Sequence, residues 1–212
     1  PDVVVFNVLS VKYGEPQNEA YNRMTLDKMR WSKIKADAIK ASMTEEENFA
    51  SYIFPLLRFH SRWNELSAED FRYMFKRDKV SHNGYLMQTS VVPKESDRTG
   101  EELMDYTLPE IGFEYLDKMK KLCEENGAEL VLIKSPTNSW KFWWYDEWDR
   151  QIEAYAEKNG LDYYNFIDEE DIGLDWSRDT YDGGIHLNVY GAEKMTLYFG
   201  KILSEVYGVE DL

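Results

Sequence analysis

The order strand, helices, strand, helix, strand, helix predicts an α/β fold: an open parallel sheet with helices on both faces. Three observations carry that prediction. Val3-Val4-Val5-Phe6 opens a nearly continuous apolar run over residues 3–11, enriched in β-branched side chains, as expected of a strand covered on both faces. Leu130-Val131-Leu132-Ile133 and the run from Tyr163 to Ile167 repeat the signal further along the chain. The segment that closes the chain carries an apolar stripe at helical spacing: Val189, Ala192, Met195, Phe199, Ile202, Leu203 and Val206.

The elements follow in order. Gly14 and Pro16 close the first strand, and residues 22–43 then read as helical, with Met24, Met29, Trp31, Ile34, Ala38 and Ile39 among many lysines. Thr44-Glu45-Glu46-Glu47 has the form of a capping box and starts a helix that Pro55 kinks or stops. Ser67-Ala68-Glu69-Asp70 repeats the start signal before Phe71, Met74 and Phe75. The block 21–77 is too long for a simple crossover and reads as a helical insertion within a single α/β domain over 1–212. Residues 79–99 read as an irregular loop. Thr107-Leu108-Pro109-Glu110 starts a helix that Asn126-Gly127 ends, and Ser135-Pro136 stops the second strand. Trp140 opens an aromatic helix through Trp144, Trp148, Ile152 and Tyr155, terminated at Asn159-Gly160. Asn188 is the expected N-cap of the last helix. Three strands are few for 212 residues, so the sheet is expected to be incomplete. The start at Pro1-Asp2, on the doorstep of a strand, reads as a fragment or processed form.

Composition narrows the function classes. Forty acidic against twenty-five basic residues give a net charge of −15, the wrong sign for tracking phosphates, so neither nucleic acid nor an anionic membrane surface is an expected partner. No run of eighteen apolar residues and no signal-like start is present, so the segment is expected to make no membrane contact. Cys123 is the only cysteine, excluding an internal disulfide, and it falls on the apolar face of a helix as a core residue. Three scattered histidines (60, 82 and 186) suggest no zinc site, and the acidic run 168–171 lacks a calcium loop's spacing, so no metal and no cofactor is expected.

Chemistry concentrates in Tyr181-Asp182-Gly183-Gly184-Ile185-His186-Leu187-Asn188-Val189-Tyr190-Gly191. This loop follows the third strand and ends at a helix N-terminus, the place where open parallel sheets carry function. Gly183-Gly184 lets the chain fold back so that the Asp182 carboxylate reaches the His186 ring; an acceptor on one ring nitrogen leaves the other to take a proton from a hydroxyl. The bland alternative is an Asp-Gly-Gly turn beside a histidine that caps or packs at the helix start. A second group is aromatic: Trp140, Trp143 and Tyr145 cannot all share the packed face of Trp144 and Trp148, so one or two of them are expected to be exposed, as a substrate wall or as an interface patch. His60, within Phe59-His60-Ser61-Arg62-Trp63, reads as a capping residue, and His82 as a turn residue.

The block Asp182-Gly-Gly-Ile-His186-Leu-Asn188-x-x-Gly191 resembles the last block of the SGNH/GDSL hydrolases, where Asp and His precede a Leu or Pro and an Asn. Lys134-Ser135-Pro136-Thr137-Asn138 looks like that fold's penultimate strand end and Pro-bearing loop, and Pro1-Asp2-Val3-Val4-Val5 like its middle strand. The chain as a whole is similar to the C-terminal part of extracytoplasmic SGNH-like proteins of bacterial envelope and polysaccharide O-acylation systems, often membrane-anchored upstream. The resemblance implies a three-layer, flavodoxin-like fold. It also implies a serine esterase or O-acyltransferase acting on acyl groups of envelope glycans, with His186 as base and Asp182 orienting it. The family's Gly-x-Ser nucleophile block lies upstream of Pro1, and no Gly-x-Asn-Asp block stands near Ser10-Val11. Three residues separate Asp182 from His186 where many members have two, which keeps Asp179 open as the partner. Ser10 and Ser135 follow strands but lack the glycine-flanked elbow of a nucleophile. The rival reading is a non-catalytic glycan-binding or scaffolding module that uses the aromatic surface of 140–148.

Overall fold

The computed structural model of the chain describes residues 1–16, 18–54, 57, 65, 67–75, 87–93, 102–139, 145–167 and 169–209. Two compact units divide the chain: residues 1–14 with 86–212, and residues 15–85.

The larger unit is α/β. Strands β1 (Val3–Asn7), β2 (Glu129–Lys134) and β3 (Asp162–Asn165) form a three-stranded parallel sheet in the order β1-β2-β3. Register places Phe6 beside Leu132 and Leu132 beside Tyr163, so these share one face with Val4 and Leu130. Helices α5 (Glu110–Glu125) and α6 (Asp146–Asn159) pack on that face, where Leu116, Cys123, Ile152 and Ala156 join Leu130 and Leu132 in the core. Cys123 is thus the core residue its helical position predicts. Neighbours along β3 point the other way. Tyr164 and the following Phe166 meet Phe199 of α7 (Val189–Tyr207), and the Tyr164 hydroxyl lies 3.3 Å from that of Tyr207. Period-two alternation therefore puts α6 and α7 on opposite faces of the sheet.

The first and third apolar runs stop being strand before they stop being apolar, and the same device acts twice. Asn7 Oδ1 accepts from Leu9 N (3.1 Å), turning Val8–Lys12 into a 3₁₀ helix where the strand pattern runs to residue 11. Asn165 Oδ1 accepts from Ile167 N (3.0 Å), ending β3 while Phe166 and Ile167 remain buried. Asn7 Nδ2 also donates to Ser135 Oγ (2.7 Å), tying the carboxyl ends of β1 and β2 together.

Between β2, β3 and α6 a polar knot interrupts the apolar face. Asp149 Oδ1 accepts from Lys134 Nζ (3.0 Å) and the Tyr163 hydroxyl (2.6 Å), while its Oδ2 accepts from Asn165 Nδ2 (3.2 Å). Burial pushes the Lys134 ammonium down from its usual value, against the pull of Asp149, and pushes the Tyr163 phenol up, reinforced by its bond to Asp149.

The smaller unit is helical: α1 (Glu19–Leu26), α2 (Lys33–Ser42), α3 (Phe49–Ile53) and α4 (Ala68–Phe75). The single helical reading over 22–43 resolves into two helices, because Ser32 Oγ accepts from Lys35 N (3.1 Å) and starts a new one. Thr44 N does donate to Glu47 Oε2 (3.1 Å), half of a capping box, yet the helix begins at Phe49 under the Asn48 cap. Leu26, Ile39 and Tyr52 form its core, and the Arg23 guanidinium lies 3.9 Å from the Tyr52 ring centroid. Pro55 lies outside the described residues. Among the described residues no helix is long and apolar enough to cross a membrane.

Candidate active site

Beyond the buried Ile167 and Ile172, the loop between β3 and α7 is held by polar side chains. Ser177 donates from both its hydroxyl (2.6 Å) and its N–H (2.9 Å) to Asp175 Oδ1, which holds the Asp175 carboxyl below its usual range. Asp179, fully buried, accepts at Oδ2 from Asp175 N (2.8 Å) and from Lys194 Nζ of α7 (2.6 Å). An antiparallel bridge between Thr180 and Leu187 then closes residues 181–186 into a tight excursion.

Gly183 and Gly184 make the excursion possible, at φ of 74° and 93°, a region L side chains rarely adopt. Gly184 N donates to Thr180 Oγ1 (2.8 Å), and Gly184 O accepts from Asn138 N (2.7 Å) and Thr137 Oγ1 (3.0 Å). A Cβ at Gly184 would stand 3.1 Å from Asn138 O, so glycine here also allows the loop after β2 to dock against the loop after β3. Gly191 has the same kind of duty inside α7: a Cβ there would lie 2.5 Å from Asp179 O.

Asn188 is the hub. Its Oδ1 accepts from Tyr190 N (3.1 Å) and Gly191 N (3.2 Å), capping α7 as the sequence predicts. Its Nδ2 donates to Arg178 O (2.7 Å), Ser90 O (3.2 Å) and Thr180 O (3.4 Å). The Ser90 contact belongs to an extended strap, residues 87–93, within the stretch that sequence reads as an irregular loop. Val92 N donates to Thr180 O (3.1 Å), Gly183 N to Val92 O (3.0 Å) and Val189 N to Gln88 O (2.8 Å). The chain on both sides of Asp182 is therefore tied to the strap, through Thr180 O and Gly183 N, and Gly184 is tied to the loop after β2.

On this frame His186 and Asp182 meet twice. His186 N donates to Asp182 Oδ1 (2.8 Å), and His186 Nδ1 lies 2.6 Å from Asp182 Oδ2. A carboxylate only accepts, so Nδ1 carries the proton and the lone pair of the neutral ring belongs to Nε2. The imidazole is 62% exposed and the carboxylate 27%. A tautomer-fixed imidazole presented to solvent is the arrangement a general base needs.

Of the two aspartates left open by the sequence, Asp182 is the one that reaches His186, and Asp179 is committed to Lys194 and Asp175 N. Tyr145 is half-buried as the N-cap residue of α6, its ring edge-on to Tyr106 (5.3 Å) and to Trp148 (5.1 Å). Trp140 and Trp143, with His60, His82 and Asp168, lie outside the described residues. Ser135 is the acceptor for Asn7 described above, and Ser10 is exposed on the 3₁₀ turn. Among the described residues no group of three or more His, Cys, Asp or Glu is placed to hold a metal ion. Sequence reasoning missed Lys194, the strap and the reach of Asn188 to three carbonyls. Lys194 carried a readable signal, a cation one turn into the last helix. The strap carried none, since its bonds are main-chain.

A family model matches residues 70–207, well over half of the chain. The chain belongs to that family, one of uncharacterised proteins. No curated protein and no solved structure matches it.

Proposed function

We propose that Asp182 and His186 are the base half of a serine-type acyl-transfer site of the SGNH kind, acting on acyl esters of envelope glycans outside the cytoplasm. The observation that carries the proposal is the doubly bonded Asp182–His186 pair, with Nδ1 at 2.6 Å from the carboxylate and the ring open to solvent. The loop's place, beyond the carboxyl end of a parallel strand and immediately before a capped helix, supports it.

In this reading a serine hydroxyl attacks the ester carbonyl while His186 Nε2 takes its proton. The tetrahedral intermediate collapses, the imidazolium returns that proton to the leaving alkoxide, and an acyl-serine remains. Water or a sugar hydroxyl then attacks the acyl-serine, again deprotonated by His186, which gives hydrolysis or transfer respectively. Asp182 fixes the tautomer and stabilises the imidazolium in both halves. The nucleophile is the serine of the Gly-x-Ser block that the resemblance implies, while the oxyanion asparagine of its Gly-x-Asn-Asp block has no counterpart near Ser10-Val11. Residues 1–212 alone are accordingly expected to show little or no turnover. No step requires a metal or cofactor.

The test uses the full-length protein, assayed on p-nitrophenyl acetate and on O-acetylated polysaccharide and probed with a fluorophosphonate. Expected are ester cleavage or transfer, labelling of a single serine, and loss of both in His186→Ala. Turnover and labelling that persist in His186→Ala, or their absence in the folded wild type, would sink the assignment.

A further inference from the structure

We infer that the corner between α1 and α2 docks on an anionic lipid surface. The net charge of −15 speaks against such a surface for the chain as a whole, but that charge is unevenly divided. Residues 19–43 hold six basic and three acidic side chains, a local excess of positive charge. On this same stretch four large apolar side chains are more than half exposed. Tyr21 and Met24 stand on α1, Trp31 (52%) in the turn that follows, and Ile34 (72%) in the first turn of α2.

The corner is built to present them. Lys35 is buried; its Nζ donates to Met29 O (3.1 Å) and stands 4.7 Å from the Trp31 ring centroid, so one lysine fixes the turn from inside. Ser32 Oγ fixes the next step by accepting from Lys35 N. Around Trp31, the exposed Lys28 and Arg30 have no carboxylate partner among the described residues, and the exposed Lys33 is paired with Asp37. Lysine is depleted where proteins dock on proteins, whereas cations around an indole and aliphatic tips suit a headgroup layer. There ammonium and guanidinium groups meet lipid phosphates, the indole sits at headgroup level, and the aliphatic tip reaches the acyl boundary. A second exposed apolar pair, Ile53 and Phe54, follows Glu45-Glu46-Glu47 and so carries the wrong charge for the same role.

The test uses the folded 212-residue chain, so that no other segment contributes, in cosedimentation with extruded vesicles. Wild type is expected to bind vesicles of phosphatidylglycerol and phosphatidylcholine in equal parts, to stay off phosphatidylcholine alone, and to release as salt is raised. Ile34→Ser, at a site too exposed to disturb the core, should weaken partitioning roughly tenfold. Lys28→Gln with Arg30→Gln should weaken it about fivefold for each charge removed and flatten the salt dependence. Phe54→Ser, beside the acidic run, should match wild type.

Equal binding to both kinds of vesicle, or wild-type binding in Ile34→Ser and in the Lys28/Arg30 double variant, overturns the inference. So does a Phe54→Ser variant as impaired as Ile34→Ser, since exposure without charge would then be enough. A second copy of the chain is the other occupant. Wild type that stays off every vesicle and sediments as a dimer, which Ile34→Ser splits into monomers, would assign the corner to self-association and end the lipid reading. None of these outcomes depends on ester turnover, so the acyl-transfer reading stands or falls separately.

Discussion

Asp179 and Asp182 stand on one loop, three residues apart, and each holds a basic partner at 2.6 Å. They do opposite work. Asp179 is fully buried and reaches across to α7 through Lys194 and back along the loop to Asp175 N. Among the described residues its second oxygen, Oδ1, is buried with no hydrogen-bond partner, so the group anchors the loop at some cost to itself. Asp182 is partly open, and its contacts hold a ring that faces solvent. One carboxylate shapes the loop, and the other uses that shape to present an imidazole. Sequence spacing alone does not separate the two, since either could be written as the partner of His186.

The comparison breaks most visibly under Asp182→Asn. The amide can still accept from His186 N, but its NH₂ then faces Nδ1 and forces the ring to accept there, placing the proton on Nε2. A ring with its proton on Nε2 is no base toward serine. On the proposed mechanism kcat of the full-length protein should fall on the order of 10³- to 10⁴-fold, with urea-unfolding stability changed by no more than about 1 kcal/mol. Equal losses of stability and activity would mean that Asp182 is an anchor like Asp179.

The anchors should show the reverse pattern. Asn188→Ala strips the cap from α7 and takes the amide donor away from the carbonyls of Arg178 and Ser90, while Thr180 O keeps Val92 N. Urea unfolding should report a loss of about 3 kcal/mol, combining a lost N-cap with carbonyls that lose their amide donor. Asp179→Ala should lose less, about 2 kcal/mol. Lys194, 39% exposed, can turn toward water, and the orphaned Oδ1 disappears with the carboxylate. In both variants the His186 ring signals should broaden or multiply, because the loop that orients the ring is loosened at its base. An unchanged stability in Asp179→Ala would show that the buried pair is neutral and that the loop is held elsewhere.

How much of this was readable beforehand follows the kind of force involved. The sheet core was legible, because Leu130-Val131-Leu132-Ile133 has one stable place in an α/β protein and occupies it. The strand ends were not, since Asn7 and Asn165 end β1 and β3 through their own side chains while the apolar pattern runs on. In the site, Asp182, the glycine pair, His186 and the Asn188 cap were legible from spacing. The choice between Asp182 and Asp179 depended on Lys194, fifteen positions beyond Asp179, and on main-chain bonds to the strap, neither of which leaves a local pattern. Tyr145 shows the limit of composition: an aromatic side chain in the right neighbourhood is half-buried edge-on between Tyr106 and Trp148.

A third aspartate extends the comparison to the sheet. Asp149 accepts from Lys134, Tyr163 and Asn165, so it resembles Asp179 in facing inward, but it sits on a helix and these three partners are on strands. Its signature should be alkaline. Burial first, then Asp149, raise the Tyr163 phenol above its ordinary 10.0, so above pH 10 the unfolded chain releases this proton while the folded one retains it. The unfolded state then binds fewer protons, and stability falls as pH rises, by up to about 1.4 kcal/mol per pH unit for each such group. Tyr52, pushed up to about 12 chiefly by burial, contributes in the same sense, as do Tyr155 and Tyr207. Lys134 acts oppositely and lower down: its depressed value makes stability rise with pH until the unfolded lysine loses its proton near 10.5, after which it adds no slope. Between pH 10.5 and 12 the tyrosines therefore act alone. Urea unfolding across that window should show a steep decline in wild type and a shallower one in Tyr163→Phe, whose phenyl ring has no proton to lose. Parallel slopes would remove Tyr163 from the buried knot and leave Asp149 paired with Lys134 and Asn165 alone.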